Sequence, residues 1–94
     1  QRKSCDLAID IIEQQTNFDC DWEVGWTHVH GMGTSAMGGL RCVVHTSSTT
    51  PAQYWVGLCL ASSKGRIQMP PLLQARFDEI PTPQEAAVAL RAEL

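Results

Sequence analysis

The hydrophobic pattern of this chain changes period several times along its length, and each change marks an element. Cys5, Ala8, Ile9 and Ile12 fall at i, i+3, i+4 and i+7, the spacing of one face of an α-helix. Ser4 stands where a cap is wanted, and Leu7 and Ile11 widen the stripe. The spacing predicts a first helix of about three turns, which fades through Gln14 to Asn17, a residue suited to a left-handed terminator.

From Trp22 to His30 the period becomes two. Trp22, Val24, Trp26, His28 and His30 share one face, and Glu23, Gly25, Thr27 and Val29 the other, as in a strand. Gly31 to Gly39 holds four glycines and two methionines and reads as a mobile loop. Alternation resumes from Leu40 to Thr46, with Leu40, Cys42, Val44 and Thr46 opposite Arg41, Val43 and His45. After the polar turn from Thr46 to Pro51, the segment Tyr54 to Ala61 is apolar on both faces and should be the most buried strand.

Ser62 to Gly65 reads as a hairpin turn into a short strand, Arg66 to Met69, where Pro70 and Pro71 are expected to end the sheet. Leu72, Leu73, Phe77 and Ile80 have helix-compatible spacing, so a short helix is expected over Pro71 to Glu79. A last helix starts at Pro83 and runs towards Leu94, because Thr82, Pro83 and Glu85 form a capping box with proline at the first helical position. Ala87, Leu90 and Leu94 give it a shallow apolar stripe.

This order predicts a two-layer α+β fold: an antiparallel sheet of three to four strands with the N- and C-terminal helices packed on one face. With 94 residues, one core and a single domain spanning the chain are expected. The order of helix, three strands and helix resembles the double-stranded-RNA-binding topology in element order alone. Where that family carries a lysine-rich start to its last helix, this chain has Thr82, Pro83, Gln84 and Glu85, so no functional residue carries over.

Charge narrows the partner class. Seven Lys and Arg against ten Asp and Glu give a formal charge of −3, without the broad positive field that draws most nucleic-acid binders to phosphate. Nucleic acid is therefore unlikely as a partner on this measure, and no apolar run has the length of about 20 residues that a membrane helix needs. Cys5, Cys20, Cys42 and Cys59 form no CxxC pair, and they read as reduced core thiols of a cytoplasmic protein. Because residue 1 is Gln, a secreted form after signal removal is the alternative, with one or two disulfides.

No candidate motif carries a full set of catalytic groups. His28 and His30, two apart on a strand, stand about 6–7 Å apart on one face and could share a metal ion, but a zinc site needs a third and usually a fourth ligand. The expected reading is a partly exposed polar pair, with no metal and no cofactor. Gly31-Met32-Gly33-Thr34-Ser35-Ala36 fits G-x-G-x-x-A, yet that fingerprint requires a helix at its third position, and Gly38 and Gly39 follow instead. Cys42 and His45, three apart on one strand, point to opposite faces and cannot pair within it. Asp19, Asp21 and Glu23 read as a solvated edge.

What remains is a non-enzymatic binding protein, an inhibitor, immunity-type or adaptor domain that docks onto another macromolecule, expected to be a protein. Aromatics beside an adaptable methionine loop suit such a surface, so the expected contacts are Trp26, His28, His30, Met32 and Met37. Two alternatives stand beside it: a metal protein using His28 and His30, and an RNA-binding module using the aromatic strand face.

Overall fold

The computed structural model describes residues 2–16, 18, 27–29, 34–35, 38–46, 53–62, 64 and 66–94. Its elements are α1 (Arg2–Glu13), β1 (Thr27–Val29), β2 (Thr34–Ser35), β3 (Gly38–Thr46), β4 (Tyr54–Ala61), β5 (Leu73–Phe77) and α2 (Pro83–Ala92). The fold is α+β, with an antiparallel sheet in the order β1-β3-β4-β5 and β2 paired to β3. Both helices share one core with the sheet.

Register decides which side chains meet the helices. Cys42 pairs with Leu58 and Val44 with Val56, and across β4 Val56 pairs with Ala75 and Leu58 with Leu73. Directly opposed residues share a face, so this set forms one surface, and its members lie in the cluster with Cys5, Ala8, Ile9, Ile12, Ala86, Ala87 and Leu90. β4 lies between β3 and β5 and is the best-buried strand described, as its two apolar faces predict; Val56, Leu58 and Cys59 are fully enclosed.

The helices run antiparallel, which their tie points show. Gln84 at the start of α2 donates from Nε2 to the carbonyls of Glu13 at 2.8 Å and Gln15 at 2.7 Å. Near the end of α2, Arg91 bridges Asp10 and Glu13, the latter at 2.6 Å. Thr82 caps α2: its Oγ1 accepts from the Glu85 amide at 3.1 Å, while its own amide donates to Glu85 Oε1 at 2.9 Å. Small residues at 86 and 87 leave no bulk beneath α2, so it seats closely on the sheet. No helix among the described residues is long and apolar enough to cross a membrane.

Several expectations are corrected. The segment Pro71 to Glu79 is not a helix. Leu73 to Phe77 forms β5, an edge strand paired to β4 over all five residues, because Leu73, Ala75 and Phe77 alternate with exposed Gln74 and Arg76. The sheet therefore does not stop at Pro70 and Pro71. Arg66 to Met69 is no strand but a single bridge, Ala61 to Ile67, although the turn before it closes as expected, the Ser62 amide donating to the Arg66 carbonyl at 2.9 Å.

Gly31 to Gly39 is not wholly loop either. Thr34 pairs with Gly39 and Ser35 with Gly38, so β3 begins two residues before Leu40. Finally, α1 starts at Arg2, which places Ser4 inside the first turn instead of at a cap. Ile11 joins the core as expected, but Leu7 is 61% exposed.

Candidate functional site

Because both helices cover one face of the sheet, the residues of opposite parity mark the far face. Register assembles it row by row: His28 with Val43, Val43 with Gly57, and Gly57 with Gln74; then His45 with Trp55 and Trp55 with Arg76; then Arg41 with Cys59. The β1 register thus assigns Thr27 and Val29 to the helix face and the His28 position to the far face.

At the β4 to β5 margin the far face carries a cross-strand pair. The Arg76 guanidinium carbon sits 4.3 Å from the centre of the Trp55 ring, close enough for a cation–π contact. Arg76 and Gln74 are exposed and Trp55 is half-buried. Towards the middle the surface is closed. Val43 and Cys59 are buried, and Pro71 lies over Gly57, whose missing side chain makes room for it: a Cβ there would stand 3.3 Å from Pro71 Cβ and Cγ.

The charges are separated along the chain. Residues 24–77, which hold the five described strands, include Arg41, Lys64, Arg66 and Arg76, all three histidines, and no Asp or Glu. All ten acids lie in residues 1–23 and 78–94, against Arg2, Lys3 and Arg91. A net charge of −3 thus conceals a cationic sheet region and an acidic remainder. Averaging over the chain hid this; counting charge between element boundaries would have exposed it.

Of the expected contact residues, Trp26, His30, Met32 and Met37 lie outside the described residues, as do Trp22, Cys20, Asp19, Asp21 and Glu23. His28 is placed by its backbone in β1. Within the G-x-G-x-x-A stretch, Thr34 and Ser35 form β2 and pair with Gly39 and Gly38 of β3, the arrangement of a sheet and not of a phosphate-binding turn. Cys42 is a core residue of the helix face, whereas position 45 belongs to the Trp55 row, which separates the Cys42 and His45 positions across the sheet.

Cys5, Cys42 and Cys59 are buried, free thiols. Burial pushes the Cys5 and Cys59 thiols up from their ordinary value, which favours the neutral, unreactive form. Among the described residues no three His, Cys, Asp or Glu side chains converge on a metal-sized space. A shallow depression lined by Arg2, Lys3, Asp6 and Leu94 opens beside the start of α1, remote from the Trp55 row. The sequence missed Arg76 because it placed it on a helix; the alternation of Leu73, Ala75 and Phe77 was the signal. Comparison of the chain with protein-family models, with curated proteins and with solved structures found no match.

Proposed function

We propose that this chain is a small non-enzymatic binding domain that docks onto another protein through the far face of its sheet. The observation that carries this reading is the Trp55–Arg76 pair, half-buried aromatic beneath exposed guanidinium, at the sheet margin. Trp and Arg dominate the energetics of protein interfaces, where a large ring and a planar cation desolvate together. An ordered pair of this kind needs little further side-chain ordering when a partner closes over it.

The charge separation gives the partner its character: a surface of acidic residues, attracted by the cationic strand region and repelled by the acidic remainder. In this reading Trp26, His28, His30, Met32 and Met37 belong to the same contact. The test is quantitative capture from the native source with wild-type protein and with Arg76→Glu as bait. Capture of the wild-type partner should fall about tenfold, since a like-charge contact replaces a desolvated pair. Equal recovery by both baits, with unchanged melting curves, would remove the far face from the interface.

A further inference from the structure

We draw no further inference here: the strongest candidate, the surface depression at the start of α1 lined by Arg2, Lys3, Asp6 and Leu94, rests on a helix N-terminus, and nothing else among the described residues points to a ligand for it.

Discussion

Gly57 shows how one missing side chain shapes the far face. In the middle of the best-buried strand, where a β-branched residue is usually preferred, glycine lets Pro71 descend onto β4. Gly57→Ala would put its Cβ 3.3 Å from Pro71, tighter than ordinary van der Waals contact, so the segment before β5 must move outwards. The expected cost is about 1 kcal/mol, the low end of overpacking, read as a fall in denaturation midpoint. Pro71→Ala in the same chain should recover part of it, since it removes Pro71 Cγ and keeps Cβ, each of which would stand 3.3 Å away. If the double variant is as destabilised as the sum of the singles, the two residues do not interact. Leu90, fully enclosed between α2 and the sheet, tests the other face. Leu90→Ala should cost about 2–5 kcal/mol, and a loss below 1 kcal/mol would mean that the helix layer is loosely seated.

At the scale of elements, the capping box at Thr82 is where local chemistry alone sets a boundary, and it was legible because its three defining residues fall within four consecutive positions. Its hydrogen bonds from the Thr82 backbone amide and then the Thr82 side chain hold the Glu85 carboxyl below its ordinary value. The folded state therefore binds fewer protons here than the unfolded chain does. The resulting stabilisation is complete above the ordinary glutamate range and disappears as the pH falls through the depressed folded value. Wild type should accordingly melt above Glu85→Ala at neutral pH, and the two curves should converge in acid; a gap that persists there assigns the effect to helix propensity. Thr82→Ala removes the cap itself and should cost about 1 kcal/mol at neutral pH, and less in acid, where the Thr82 hydroxyl no longer meets a charged Glu85. β5 was less legible, since Leu72, Leu73, Phe77 and Ile80 satisfy a helical period while Leu73, Ala75 and Phe77 satisfy a strand. Only the unpaired side of β4 decides between them, a tertiary fact that no window of residues contains. The α1 stripe had no such competitor: Cys5, Ala8, Ile9 and Ile12 are its buried residues, as the period required.

Across the whole molecule, the arrangement of charge says more than its sum. The acids occupy the two ends of the chain, and the strand region between them carries cations alone. Described residues of the first group form the helix layer with the turn before α2, whereas Arg41 and Arg76 belong to the far face. Such a molecule has an electrostatic direction, and an acidic partner approaching it is turned towards the sheet before contact. Opposite charges at a surface are screened beyond a Debye length of about 10 Å at 0.1 M salt and 3 Å at 1 M. Association with the partner should therefore slow by at least tenfold between 50 and 500 mM salt, while dissociation, governed by the packed contacts, changes little. Arg76→Glu should both weaken the complex and flatten the salt dependence of the association rate, because it removes one attractive charge and adds a repulsive one. Glu93→Gln, in the acidic layer, should leave the dissociation rate unchanged, for that layer makes no contact in this arrangement. Stopped-flow association across a salt series checks all of these. A rate that rises with salt would mean net repulsion on approach, and it would rule out an acidic partner drawn to the cationic strand region.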